Sequence, residues 1–172
     1  RVDLEVLLRA MLSDFVPRAR QKSIDFGLET TGSPLIIDGN PVLLGELLKN
    51  LIDNAIKYTP EGGCVTVRTI ATERAIIEVE DTGIGVPDAD RERVFERFYR
   101  VLGSAESGSG LGLPIVREIA ELHRAKVSLI PNPCGKGTIA QVVFPRSRGA
   151  LDDAVPLGIE PPRPIAEQFP PG

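Results

Sequence analysis

Tryptophan is absent from this chain of 172 residues, histidine and methionine occur once each, and cysteine only twice, as Cys64 and Cys134. Two isolated cysteines exclude a disulfide framework, and with a single histidine they supply no closely spaced ligand pairs for zinc. Both are read as reduced thiols. No apolar run approaches the roughly 18 residues that a membrane-spanning helix requires. A dominant charge of one sign is lacking too: 20 Lys and Arg against 24 Asp and Glu leave a net charge of −4. No global basic field therefore draws nucleic acid, and a bound phosphate must be met by a local site. An initiator methionine and a signal peptide are also missing, because Arg1-Val2-Asp3-Leu4 leads straight into helical patterning. A piece of a longer chain is expected.

What is present suits one soluble α/β domain with an appendage: 42% apolar and 26% charged residues. Leu4, Leu7, Leu8, Met11, Leu12 and Phe15 recur at spacings of three and four, predicting an amphipathic helix from Asp3 to about Arg20 with Asp3 as N-cap and Pro17 as a kink or end. Alternation at Ile24, Phe26 and Leu28 predicts a strand, and Pro34 to Ile37 a second short one. A longer helix runs from near Pro41 to Thr59-Pro60, where proline stops it. The β-branched stretches Val65 to Ile70 and Ala75 to Glu80 read as a hairpin. A short helix over Pro87 to Arg97, a Gly/Ser-rich break from Gly103 to Gly110, a helix through Ile115 to Leu122, and strands at Lys126 to Ile130 and Thr138 to Phe144 complete the order. That order implies an α+β fold of two layers, a mixed or antiparallel sheet with helices on one face, over residues 1–148. From Gly149 the composition turns to proline, glycine and acid without period, so 149–172 is expected to be a disordered tail.

Four stretches carry candidate chemistry. On the long helix Glu46, Asn50, Asp53, Asn54 and Lys57 share one arc opposite the leucines. Such a stripe is often a solvated face. Here, though, asparagine is a poor helix former and is repeated one turn apart, and amide oxygens with a lysine suit Mg²⁺ and phosphate. Asp81-Thr82-Gly83-Ile84-Gly85-Val86-Pro87 follows a strand; its glycines let backbone approach a flat ligand while the Asp accepts from an exocyclic amine, although the same pattern also makes an ordinary turn. Gly108-Ser109-Gly110-Leu111-Gly112-Leu113-Pro114 precedes a helix and offers N–H groups and the positive dipole end to phosphate. It is neither a Walker loop nor a Rossmann turn, which leaves another kind of phosphate loop or a hinge. Between them Val94-Phe95-Glu96-Arg97-Phe98-Tyr99-Arg100 sets aromatics beside arginines, as an anchor for a mobile loop or as a core-facing helix with solvated arginines.

Read in order, these stretches resemble the four boxes of the ATP-binding domain of bacterial histidine kinases, within the superfamily shared with gyrase, heat-shock chaperone ATPases and mismatch-repair ATPases. LLKNLIDNAIKYTP from Leu47 to Pro60 resembles the N box, Asp81 to Pro87 the first glycine box, Val94 to Arg100 the F box, and Gly108 to Leu113 the second glycine box. The resemblance implies a Bergerat-type two-layer α/β sandwich that binds Mg-ATP. It implies that Asn54 ligates Mg²⁺ with Asn50 beside it, that Lys57 lies near the phosphates, and that Tyr58 stacks on adenine. Asp81 accepts from the adenine amino group, Gly83 and Gly85 admit the base, and Arg100 reaches the γ-phosphate. Tyr99, Gly108, Ser109, Gly110, Leu111, Gly112 and Leu113 complete the nucleotide site, and the segment between Tyr99 and Gly108 forms a lid over Phe95 and Phe98.

The resemblance further implies transfer of the γ-phosphate to a histidine in a dimerisation domain lying outside this chain. A response-regulator receiver would act downstream, with no nucleic acid involved. The chain alone is expected to be monomeric, and the intact kinase a homodimer anchored at the inner membrane with this domain in the cytoplasm. Related ATPases place a water-activating glutamate one turn before the metal asparagine; Asn50 stands there, which suits transfer to a protein acceptor over hydrolysis. His123 lacks the acceptor motif and is read as structural. The competing expectations are a regulatory nucleotide-binding module without phosphotransfer, an energy-transducing ATPase, and a serine kinase of the anti-sigma type.

Overall fold

The computed structural model describes residues 1–101 and 109–146. Strand β1, Val2–Asp3, pairs antiparallel with β3, Ile36–Ile37; two residues are too short to show alternation, which is why β1 was not expected. Asp3 then caps helix α1, Leu4–Leu12, its Oδ1 accepting the Glu5 N–H at 3.0 Å. The single helix expected to reach about Arg20 is instead two, because Pro17 cannot donate to the Ser13 carbonyl and its ring would strike it. The chain turns through 13–15 and restarts as α2, Val16–Gln21, with Pro17 in the first turn where a missing N–H costs nothing.

Helix α3, Pro41–Tyr58, opens on Asn40, whose Oδ1 accepts the N–H groups of Val42 (2.9 Å) and Leu43 (3.3 Å). Leu44, Leu47, Leu48, Leu51, Ile52 and Ile56 are all buried along one stripe, each side chain worth about 1.5–3 kcal/mol of transfer free energy. The stripe lies on a five-stranded sheet of β2 (Asp25–Glu29), β4 (Cys64–Ala71), β5 (Arg74–Asp81), β6 (Lys126–Pro131) and β7 (Thr138–Pro145). Their order is β2-β4-β5-β7-β6, with β2 parallel to β4 and every other pair antiparallel. Register stacks Val67 on Val79 and Ile77 on Val142, so alternate residues of three strands form one buried apolar face. The other face is polar: Arg68 bridges Glu29 and Glu80, and Gln141 donates to Glu78 at 2.8 Å. Helices therefore cover one face only, giving the expected α+β two-layer sandwich with a mixed, mostly antiparallel sheet.

The short helix expected over Pro87 to Arg97 is a correction. The segment forms two 3₁₀ turns, Asp88–Asp90 and Arg93–Phe95. Its buried apolar residues, Val94 and Phe95, are adjacent rather than three or four apart, so no α-helical stripe exists to stabilise a longer helix.

Helix α4, Gly112–Leu122, ends in a Schellman turn: Arg124 N–H donates to Glu121 O at 3.0 Å and Ala125 N–H to Ala120 O at 2.8 Å. His123, at the cap, donates from Nδ1 to Ile119 O at 2.7 Å and accepts the Asn40 N–H on Nε2 at 3.0 Å. Both ring nitrogens are engaged, so this histidine ties the end of α4 to the start of α3. Among the described residues no helix is long and apolar enough to cross a membrane. The expected tail at 149–172 lies outside the described residues.

Arg124 holds φ +53° in the position where the turn favours glycine. Arg124→Gly is expected to stabilise the domain by about 1 kcal/mol and raise Tm by roughly 2–4 °C in a thermal melt. A lower Tm would show that the arginine side chain matters more than the strain.

Candidate functional site

The end of α3, the start of α4, the end of β5 and the start of β7 enclose a cleft of about 290 Å³. Its floor is apolar, made by Val79, Leu129 and Ala140 of the sheet, and its walls carry most of the polar residues singled out in the sequence.

At one end sits Asp81, the last residue of β5. Its Oδ1 accepts the N–H of Gly83 at 2.8 Å and that of Thr138 at 3.3 Å; Oδ2 takes neither bond. Burial pushes its carboxyl up to about 6 from an ordinary 3.8; the two N–H donors oppose that rise and the neighbouring Glu80 charge adds to it. The connection between β6 and β7 is fastened to this residue. Asn132 is buried and donates from Nδ2 to Asp81 O at 3.0 Å and Glu80 Oε1 at 2.9 Å. Gly137, at φ +103°, lies so close that a Cβ there would fall 1.9 Å from Asp81 O. Gly85 lines the cleft beside it, whereas Gly83 does not: a Cβ at Gly83 would meet Tyr58 O at 2.5 Å, so its role is to let α3 end against β5.

At the other end α4 begins. Gly112 packs directly on the asparagine pair, where an added Cβ would lie 3.2 Å from Asn50 Oδ1 and 3.5 Å from Asn54 Nδ2. Asn50 Nδ2 donates back to Glu46 O (2.8 Å) and Glu46 Oε1 (3.0 Å), which leaves its Oδ1 toward the start of α4. The Asn54 side chain makes no hydrogen bond among the described residues. Lys57 and Tyr58 follow on the same wall, the Lys57 ammonium 4.9 Å from the Tyr58 ring centroid. Asp53 departs from the expected stripe: it pairs with Arg18 of α2, away from the cleft.

Tyr99, Arg100, Ser109, Gly110 and Leu113 line the cleft as well. Tyr99 donates its hydroxyl to Asp90, which raises its phenol above the ordinary value, and Arg93 covers its ring at 4.4 Å. Gly110, at φ +70°, approaches the 94–100 stretch so closely that a Cβ would lie 2.9 Å from Phe98 Cα; Phe98 N–H donates to Gly110 O at 3.0 Å. Arg117 of α4 stacks on Phe95 at 4.2 Å and pairs with Glu92 at 2.9 Å. Phe95 is buried but Phe98 is 72% exposed at φ +65°, so only the first packs inward; tethering to Gly110 turns the second out. Leu111 does not line the cleft; its carbonyl accepts the Ile115 N–H at 3.1 Å in the first turn of α4. Gly108 and the expected lid lie outside the described residues.

Sequence reading missed Asn132, Gly137 and Thr138. The one local signal was Gly-Lys-Gly before a strand, which reads equally as a turn.

Comparison with known proteins agrees with this architecture. Residues 39–148 match the family described as histidine kinase-, DNA gyrase B- and HSP90-like ATPase. Over 127 residues, 74% of the chain, the sequence is 42% identical to the sensor protein QseC of Salmonella typhi, and over 149 residues, 86% of the chain, 36% identical to the sensor protein kinase PmrB of Pseudomonas aeruginosa. It spans only 28% and 31% of the lengths of those proteins. The mycobacterial sensor histidine kinase MprB matches with a TM-score of 0.71 at 33% identity, covering 84% of this chain and 95% of that one. A nucleotide-free catalytic domain of histidine kinase ThkA gives 0.75 at 26% identity, covering 84% and 93%. The chain belongs to the histidine kinase-, gyrase B- and HSP90-like ATPase family. Within that family its likeness is to the catalytic domains of sensor histidine kinases.

The raised Asp81 carboxyl has a signed consequence for stability. A carboxyl that is a weaker acid folded than unfolded favours the native state below pH 3.8, and the contribution falls as pH rises through 6 and is flat above. Asn at this position keeps an oxygen for Gly83 and Thr138 and does not titrate. The stability of wild type relative to Asp81→Asn is therefore expected to fall by up to about 3 kcal/mol between pH 4 and 7, read from denaturant melts at each pH. A pH-independent difference would contradict the burial argument.

Proposed function

We propose that this domain binds Mg-ATP and donates the γ-phosphate to a histidine carried elsewhere in a longer, membrane-anchored, homodimeric sensor kinase, for relay to a response-regulator receiver. One observation carries the choice of transfer over hydrolysis: among the described residues Asp81 is the only carboxylate lining the cleft, and its Oδ1 is engaged by the Gly83 and Thr138 N–H groups. Glu46, the carboxylate beside Asn50, is engaged by the Asn50 amide and does not line the cleft, so among the described residues no acidic base within the cleft is placed to activate water.

In this reading Asp81 Oδ2 accepts from the adenine amino group, with Gly85 admitting the base, Gly83 seating the end of α3 behind it, and Tyr58 against its face. About 12 Å of α3 separates Tyr58 from Asn50, a span that suits an extended nucleotide. The phosphates lie toward the start of α4, where Ser109, Gly110, Gly112 and Leu113 bring N–H groups and the positive dipole end. Asn54, with Asn50 beside it, supplies amide oxygen to Mg²⁺, and Lys57 and Arg100 supply positive charge. Tyr99 holds the start of the lid through Asp90. A bound divalent cation neutralises phosphate oxygens; the chain's own residues position them.

A fluorescent ATP analogue titrated with and without Mg²⁺ tests the site: metal-dependent binding is expected, reduced at least about tenfold by Asn54→Ala and by Asp81→Asn. Supplying the histidine-bearing segment of the longer protein is expected to yield acid-labile phosphoprotein. Steady phosphate release without phosphoprotein would instead favour an ATPase, and binding without either product a regulatory module.

Gly112→Ala gives a finer test. Its added methyl crowds Asn50 Oδ1 at 3.2 Å while sitting at an ordinary helical φ. Mg-dependent affinity is expected to fall several-fold with Tm unchanged or raised, and unaltered affinity would remove Asn50 from the metal site.

A further inference from the structure

Helix α3 ends without the turn that closes α2 and α4. In both of those a residue at positive φ, Ser23 and Arg124, folds the chain back so that N–H groups reach the last carbonyls: Ser23 N–H to Arg20 O and Ile24 N–H to Ala19 O, both 2.9 Å, in α2. After Tyr58 the chain instead leaves extended, Thr59 at φ −82° and ψ 127°, as a residue before proline must. Ala55 O is satisfied by Thr59 N–H (3.0 Å) and Thr59 Oγ1 (2.7 Å). The carbonyls of Ile56 and Lys57 have no partner further along the helix.

Lys22 meets both. Its Nζ donates to Ile56 O at 3.0 Å and Lys57 O at 2.9 Å. Lys22 is itself fixed: it caps α2, donates its N–H to Ala19 O at 3.2 Å, and accepts Gly62 N–H on its carbonyl at 3.1 Å. A side chain in the cap of one helix thus closes the end of another 34 and 35 residues away in sequence. The next carbonyl, Tyr58 O, is the one lying against Gly83.

We propose that Lys22 is a positioning residue for the nucleotide site: it serves as the missing cap of α3 and thereby sets Lys57 and Tyr58 against the cleft, without touching ligand itself. Its positive charge at the negative end of the α3 dipole acts in the same sense as Lys57, limiting the negative potential that the helix end presents to the cleft. This rests on the cleft being the nucleotide site, but the cap is a property of the ligand-free protein and is measurable there.

The test uses the full chain with Lys22→Met, which keeps the aliphatic stem, Lys22→Arg, which restores a cationic donor, and Arg18→Met, which removes from α2 the cation that pairs with Asp53 of α3. Amide hydrogen exchange without nucleotide is expected to quicken at residues 57–59 in Lys22→Met and to be largely restored by arginine. The Kd for the fluorescent ATP analogue is expected to rise about tenfold in Lys22→Met and to stay near wild type in Arg18→Met, a split that general loss of stability would not produce. Unchanged exchange at 57–59, or unchanged Kd while Asn54→Ala loses binding, would overturn the proposal. If Asn54→Ala binds as wild type while Lys22→Met still loosens residues 57–59, the nucleotide assignment fails and the cap stands.

Discussion

The placement of α3 is the constraint on which the rest depends, because this one helix supplies both the core stripe and the polar wall of the cleft. An 18-residue helix packed only by leucines can slide and roll at small cost, since one aliphatic ridge fits a groove much like the next. Hydrogen bonds at its two ends remove that freedom. At the start, Asn40 caps the helix with its side chain while its own N–H is held by His123 of the α4 cap. At the finish, Lys22 holds the last carbonyls. The single histidine and one lysine thus fix the register of a helix whose other face carries Asn50, Asn54, Lys57 and Tyr58.

Glycine makes the remaining joints, and always by close approach. Gly83 admits the Tyr58 carbonyl, Gly137 the Asp81 carbonyl, Gly110 the Phe98 backbone and Gly112 the Asn50 amide. The first three press backbone on backbone and the fourth meets a side-chain amide, so the cleft is assembled by close approach rather than by long side chains reaching inward. Such joints are stiff, because a carbonyl held against a glycine has no rotamer to relax into. They also explain why the glycine-rich stretches punctuate the sequence at the places where secondary structure ends.

Legibility followed range. The leucine stripe of α3, the hairpin of β4 and β5 and the Asp81 turn rest on periods and turns within a few residues, and composition reveals them. Thr138 and Gly137 became part of the site only through the pairing of β5 with β7, which brings Thr138 N–H to a carboxylate 57 residues earlier. No local pattern encodes that. The 88–95 region was misread because its charged residues fit a helix surface while its two buried residues stand side by side, and burial prevailed over propensity. Phe98 was expected underneath for its aromatic character, yet its backbone is tied to Gly110 in a left-handed conformation that turns the ring out. Asp53 fell on the right arc by helical angle but at the wrong edge, where Arg18 takes it.

The charge pattern shows how an acidic chain can still present a site for an anion. Net charge matters for encounter and solubility, whereas binding is decided within a Debye length of roughly 8–10 Å. Around the cleft the other acidic residues are engaged elsewhere. Asp53 is turned onto Arg18, Glu46 is held by the Asn50 amide, and Asp90 accepts from Tyr99. Glu80 is bridged by Arg68 and Asn132 on the opposite face of the sheet. What remains facing inward is one carboxylate at the end where the proposed base would donate to it. Elsewhere on the lining are two amides, a lysine, an arginine and the start of α4. In the proposed reading that separation, and not the composition of the chain, is what orients the nucleotide.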